Sequence, residues 1–311
     1  MICGKRWIDE GHYVVGNYVC ASRDHQSGDA ELELMGRRQA VRQRVLVSPF
    51  LGSNPSGPVF SDMSDRPLVV FDFDGVIVDG MAEYWWSSWH ASCSLGADVS
   101  GLTSDVVPDA FRILRPWVHH GWEMVLLAAE LPGLDLQHWI NDYAGQQRRA
   151  MDLRGWQPDQ LQSVLDHTRQ EAVRSDRAAW LALHRPFPGL VDRLQSLDGE
   201  GVDWAVLTTK TEAFTAELLE SLTLTPWRLD GREAGAKPEV LRRLQSQRRV
   251  HSFIEDRRAT LETVCTTPGL ESLQCWLVRW GYLKPSDLIG LPPRIQLLDL
   301  IAFAKPLAHW R

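Results

Sequence analysis

The sequence predicts an α/β protein, a doubly wound parallel sheet interrupted by an all-helical insert, and three observations carry that expectation. First, short apolar runs end in an acid, a threonine or a turn: PLVVF (67–71), DWAVLTTK (203–210), SFIED (252–256), CWLVRWGY (275–282) and RIQLL (294–298). A strand covered on both faces reads as such a run, because it has no polar face to alternate with. Second, the runs are separated by segments with apolar residues three and four apart: LVDRLQSL (190–197), EAFTAELLESL (212–222), KPEVLRRLQSQ (237–247), ATLETVC (259–265) and DLIAFAK (299–305). Strand and helix in alternation predict parallel strands joined by right-handed crossovers. Third, residues 81–184 carry helical spacing and no strand signal. Their long stretches are SDVVPDAFRILRPWVHHGWEMVLLAAEL, LDLQHWINDYAGQQRRAM and PDQLQSVLDHTRQEAVRSDRAAWLALH. RPFPGL (185–190) then reads as the linker back to the sheet.

Composition narrows the function classes. The chain has 311 residues, 44% hydrophobic and 23% charged, enough apolar side chain to bury a core. A net charge of −7 argues against a surface built to track a phosphate backbone, so nucleic acid is not an expected partner. The five cysteines contain no CxxC pair, which points away from a disulfide framework or a zinc site and towards a reducing, cytoplasmic setting. No membrane partner is expected, since no segment reads as a signal peptide or a span. Residues 1–66 show no sustained period, and GSNPSGP (52–58) reads as linker, so this part is expected to be a weakly structured extension. Met63 would then be a natural start. Arg37, Arg38, Arg42 and Arg44 read as a solvated face. The expected division is therefore an extension (1–66), a core (67–80 and 185–311) and a helical cap (81–184).

Chemistry is expected at the end of the first strand. In VVFDFDGVIVD (69–79), Asp72 and Asp74 stand just past the carboxyl end of a buried strand, where open parallel sheets bind ligands. Two carboxylates this close repel each other unless a cation or a hydrogen-bonding partner compensates. Magnesium suits them, being a hard ion that takes one or two carboxylates and keeps positions for phosphate oxygens. Gly75 lets the backbone turn and approach a ligand. Only five lysines occur among 33 basic residues, and two of them, Lys210 and Lys237, fall where a compact point charge near a phosphate would be useful.

The motif Asp72-Phe73-Asp74-Gly75-Val76 resembles the first motif of the haloacid dehalogenase-like hydrolase superfamily. Three further motifs follow in order: Thr208 at the tip of WAVLTTK, Lys237 in GAKPEV 19 positions before Asp256, and Asp256 closing SFIED. The Lys-Pro helix start, PFPGL and LVRWGY are similar to the phosphoglycolate phosphatase-like branch. The resemblance covers residue 67 to the C-terminus and implies a Rossmann-like core with a helical cap. It also implies a magnesium-dependent phosphatase of a small phosphorylated metabolite. Asp72 would be the nucleophile and Asp74 the general acid and base. Thr208 and Lys237 would stabilise the phosphoryl group, with Thr209 and Lys210 beside them. Magnesium would be held by Asp72, the backbone carbonyl of Asp74, and Asp256. The fourth motif departs from the pattern, with Glu255 in place of the usual glycine and Thr260 in place of a second acid, so Glu255 is a further candidate ligand.

Within the cap, Arg112 and Arg115 are candidate substrate contacts, with Trp117, His119 and His120 beside them, since Arg and His recognise anions. Trp85, Trp86 and Trp89 read as packing residues at helical spacing. Two alternatives remain at this level: a sugar-phosphate mutase, which shares all four motifs, and a binding or scaffold protein without turnover. Oligomeric state is not read from the sequence.

Overall fold

The computed structural model describes residues 66–310. The expectations for the N-terminal extension, Met63 and the arginines near residue 40 fall outside them. Six parallel strands form one sheet: β1 (Leu68–Phe71), β4 (Asp203–Leu207), β5 (Arg228–Asp230), β6 (Val250–Glu255), β7 (Gln274–Val278) and β8 (Ile295–Leu298), ordered β5-β4-β1-β6-β7-β8. The register pairs Phe71 with Val206 on one side and Ile254 on the other, so the carboxyl ends of the three central strands lie level. The chain leaves β1 towards β4 and later returns to its other side at β6. That reversal of direction opens a crevice at the ends of these strands, the place for a ligand in this class of sheet.

Both faces of the sheet are covered. Val69 and Phe71 point into one apolar cluster and Leu68 and Val70 into the other, all four fully buried. On the first face lie α8 (Leu190–Ser196), α9 (Glu212–Ser221) and α12 (Leu300–Phe303); on the second lie α10 (Lys237–Gln247) and α11 (Arg258–Thr266). The continuous apolar character of β1 follows from this sandwich.

The cap leaves the core through β2 (Val78–Asp79) and returns through β3 (Arg185–Pro186), and the two pair antiparallel as a short stem. Between them run α1 (Met81–Ser94), α2 (Asp109–Leu114), α3 (Gly121–Glu130), α4 (Leu136–Asn141), α5 (Tyr143–Arg154), α6 (Pro158–Ser175) and α7 (Arg177–Ala182). They enclose their own core, in which Trp85 is fully buried against Phe111, with ring centroids 5.2 Å apart. Among the described residues no helix is long and apolar enough to cross a membrane.

The structure corrects four details. The stretch 104–131 is not one helix: Pro116 lies in a 3-10 turn over Arg115–Trp117, and the chain extends at His120 before α3. Asp142 and Asp176 break the other two stretches, each accepting a hydrogen bond from a backbone N–H three residues on, Gly145 and Ala179 respectively. An acid that caps a new helix costs the old one its continuity. Strand β5 was not anticipated, because three residues carry too short an apolar pattern to register. Finally, β7 stops at Val278, and residues 279–282 turn back over the crevice instead of extending the strand.

Candidate active site

The first motif is shaped by backbone geometry. After β1 the chain turns tightly, with Val78 N–H and Ile77 N–H both donating to the Phe73 carbonyl and Gly75 N–H donating to the Val78 carbonyl. Gly75 has φ +83°, and a Cβ there would sit 2.1 Å from Asp256 Oδ2. Gly281 closes the other side, where a Cβ would lie 2.3 Å from that of Asp256 and 2.6 Å from the Gly75 carbonyl oxygen. Asp256 is thus wedged between two glycines, and Tyr282 N–H donates to its Oδ2 at 2.9 Å.

Asp72, Glu255 and Asp256 converge, each offering a carboxylate oxygen within 4.8 Å of the others, and all three are buried. Lys237, the first residue of α10, lies among them, its Nζ 2.8 Å from Asp72 Oδ1 and 2.6 Å from Glu255 Oε2. Burial pushes the Asp72 carboxyl up to about 7, with the Glu255 charge adding to the effect and Lys237 opposing it. Burial, then the Asp72 charge, raises Asp256 to about 6. Glu255 is also raised by burial, against the pull of Lys237. For Lys237 the two carboxylates outweigh burial and hold the ammonium firmly charged.

Three buried carboxylates facing one ammonium leave negative charge uncompensated, and the raised carboxyls express that cost. A hard divalent cation with oxygen ligands fits this donor set. Glu255 has both oxygens engaged, Oε2 by Lys237 and Oε1 by Arg257 N–H at 3.1 Å. It therefore orients the lysine, while Asp72 and Asp256 are the better placed to face a cation. The Asp74 carboxylate stands outside the three-acid cluster, with Oδ1 3.5 Å from Lys210 Nζ.

A cavity of about 870 Å³ opens between this rim and the cap, lined by Asp72, Asp74, Lys237 and Asp256 on the core side. Thr208 is buried at the tip of β4, its hydroxyl oxygen accepting from Lys210 N–H at 3.1 Å, and the cavity wall itself is formed by the exposed Thr209 and by Lys210. From the cap come Arg115, His119 and His120. Arg112 does not join them. It is exposed on α2, whose inward positions are taken by Phe111 and Leu114, so amphipathic packing turns it away.

Several cavity residues were not anticipated from the sequence. Arg169 of α6 lines the cavity while donating to both oxygens of the fully buried Glu83 on α1, at 2.6 and 2.9 Å. Tyr84, Tyr282 and Arg257 also line it. Arg257 directly follows the fourth motif, a local signal that was available; the others are brought in by contacts between distant segments.

No family model matches the chain. Phosphoglycolate phosphatase of Agrobacterium fabrum is 28% identical over 159 residues, covering 51% of this chain and 54% of that protein. Phosphoglycolate phosphatase 1 of Pseudomonas aeruginosa is 28% identical over 167 residues, 54% of this chain and 50% of that protein. The chain thus spans about half the length of the curated relatives it matches. A solved structure described as a predicted phosphatase from Clostridium acetobutylicum superposes with a TM-score of 0.50 at 16% identity, covering 78% of this chain and 97% of that one, a likeness of fold. With its motifs set around one crevice of a six-stranded parallel sheet, the chain is similar in sequence to these phosphoglycolate phosphatases and in fold to the solved phosphatase, in line with its resemblance to the phosphoglycolate phosphatase-like branch of the haloacid dehalogenase-like hydrolase superfamily.

Proposed function

We propose that the protein is a magnesium-dependent phosphatase of a small phosphorylated metabolite, working through an aspartyl-phosphate on Asp72. The observation that carries this reading is the convergence of Asp72, Asp256 and Lys237 at one strand-end rim, with Asp74 facing the same cavity. A carboxylate oxygen of Asp72 attacks phosphorus as the ester P–O bond breaks. Asp74 delivers a proton to the departing oxygen, then takes one from the water that cleaves the acyl phosphate. Lys210 holds the Asp74 carboxylate in place. Lys237 offsets charge on Asp72 and on the phosphoryl oxygens, and Thr208 has a hydroxyl proton left to donate. Asp72, Asp256 and the backbone carbonyl of Asp74 would hold magnesium, which when bound neutralises phosphoryl charge and aligns attacker with target. The cap keeps bulk water away from the intermediate.

The name of the relatives makes 2-phosphoglycolate the first physiological ester to assay. A direct test is magnesium-dependent release of p-nitrophenol from its phosphate ester. Wild type is expected to be active and Asp72→Asn to lose on the order of 10³-fold or more in kcat, as removal of a nucleophile does. Failure of the folded wild type to release p-nitrophenol or to hydrolyse 2-phosphoglycolate would sink the reading.

A further inference from the structure

Tyr282 is bound at both of its ends, one in the site and one where the chain leaves the core for the cap. Its backbone N–H donates to Asp256 Oδ2 at 2.9 Å. Its hydroxyl donates to Asp79 Oδ1 at 2.8 Å and accepts from Gly80 N–H at 2.8 Å. Asp79 ends β2 and Gly80 joins it to α1, so the hydroxyl holds the junction of stem and cap. Asp79 Oδ1 also accepts from Met81 N–H at 2.9 Å, which carries the same grip into the first turn of α1. Between its two ends the ring lies across Gly75, where a Cβ would meet Tyr282 Cδ2 at 3.0 Å. One aromatic residue thus reaches from a carboxylate placed to face a cation to the start of the cap. Its two side-chain torsions sit in discrete rotamers and leave little slack between those points.

The loop that carries Tyr282 is fixed as well. Trp280 Nε1–H donates to the Val76 carbonyl at 2.9 Å, and Gly281 lies so close to the first motif that a Cβ there would stand 2.6 Å from the Gly75 carbonyl oxygen. Residues 280–282 therefore follow the turn after β1 as one body. A swing of α1 about Gly80 has two outcomes at Tyr282. Either the two hydroxyl hydrogen bonds break, which takes partners from Gly80 N–H and Asp79 and costs free energy, or the ring is pulled along. A pulled ring displaces the N–H that orients the Asp256 carboxylate.

We propose that Tyr282 is a positioning residue that couples the stem–cap junction to the divalent-cation site, so that a bound cation and an ordered junction stabilise each other. This rests on the reading above in which Asp256 helps to hold magnesium. Linkage makes the coupling reciprocal: the factor by which the ordered junction tightens magnesium binding is the factor by which magnesium steadies the junction. The test measures magnesium affinity by calorimetric titration, and amide hydrogen exchange in residues 79–84 with and without magnesium, for wild type and Tyr282→Phe. The variant keeps the ring and the backbone N–H on Asp256 and loses the hydroxyl alone. In wild type, magnesium slows exchange in these residues by about 10-fold, the worth of one hydrogen bond of ordinary strength. In Tyr282→Phe the slowing shrinks to about twofold or less, and magnesium affinity falls by the same factor that the slowing loses. A hydroxyl that only braces the fold would speed exchange equally with and without magnesium and leave the affinity unchanged. That result overturns the inference and leaves the phosphatase reading standing, as does a wild type that binds magnesium with no change of exchange in residues 79–84. A folded wild type that takes up no magnesium overturns both.

Discussion

At the scale of single residues, the site depends as much on side chains that are missing as on those present. Gly75 and Gly281 make room for Asp256, and no atom larger than hydrogen fits at either Cα without moving that carboxylate. At Gly75 the left-handed backbone adds a second penalty, about 1 kcal/mol for a residue with a Cβ. Gly75→Ala is therefore expected to lower the melting temperature and to weaken magnesium binding by roughly 10- to 100-fold, the usual cost of disturbing the support of a metal ligand. Calorimetric titration with magnesium, together with a thermal melt, checks both effects; unaltered affinity would show that Asp256 is not a ligand. Asp72, Asp74 and Gly75 were readable because they fall within four positions and their meaning is local. The orientation of Glu255 towards Lys237 was not, since it depends on how β6 and α10 pack. Sequence spacing alone left Glu255 as a candidate ligand.

At the scale of elements, the cap stem is fastened by buried charge. Glu83 on α1 takes the Arg169 guanidinium of α6, and His184, just before β3, lies with Nε2 4.0 Å from Glu83 Oε2. Burial drives Glu83 up, but Arg169, Lys210 and His184 overcome it and leave the carboxyl at about 2. For His184, burial and then Lys210 outweigh Glu83 and Asp74 and lower the imidazole from 6.5 to about 4. The sign follows: between pH 6.5 and 4 the unfolded chain takes up a proton that the native His184 refuses, so stability falls as pH drops through that window. The contribution is on the order of 3 kcal/mol, complete above pH 6.5. In His184→Gln this part of the slope disappears while the amide can still donate to the Trp180 carbonyl, which His184 Nδ1 meets at 3.3 Å. Urea unfolding at several pH values between 4 and 7.5 measures it, and parallel curves for the two proteins would refute the assignment. Periodicity marked α1 and α6 as helices. It carried no information on which of their polar residues meet, because Glu83 and Arg169 lie far apart in the chain and pair only once the cap has folded.

At the scale of the whole molecule, the cap meets the core beyond its stem at two places, one of them α7, where Arg177 Nη2 lies 2.9 Å from Glu217 Oε2 and the Trp180 and Phe214 ring centroids are 5.3 Å apart. The Arg257 guanidinium donates to the Val118 carbonyl, the Lys284 ammonium lies 5.5 Å from the Trp117 ring centroid, and the Tyr84 and Tyr282 rings meet edge to face at 6.1 Å. All three attach the core to the cap through α1 or the turn around residues 115–118, the same turn that carries Arg115. A charge-assisted hydrogen bond such as that of Arg257 contributes about 1.5–3 kcal/mol. Arg257→Ala removes the hydrogen bond while leaving the Glu255 and Asp256 carboxylates in place, since Glu255 is held by the backbone N–H of residue 257 and by Lys237. Amide hydrogen exchange is therefore expected to speed up by about 10-fold or more in residues 115–120, with the sheet unaffected, because a contact of this size that is present only in the closed form multiplies the open population by that factor. Catalysis should fall through a higher KM, as closure supports substrate binding more than it supports the attack of Asp72. Exchange in residues 115–120 identical to that of wild type would show that the Arg257 hydrogen bond does not hold the cap in place.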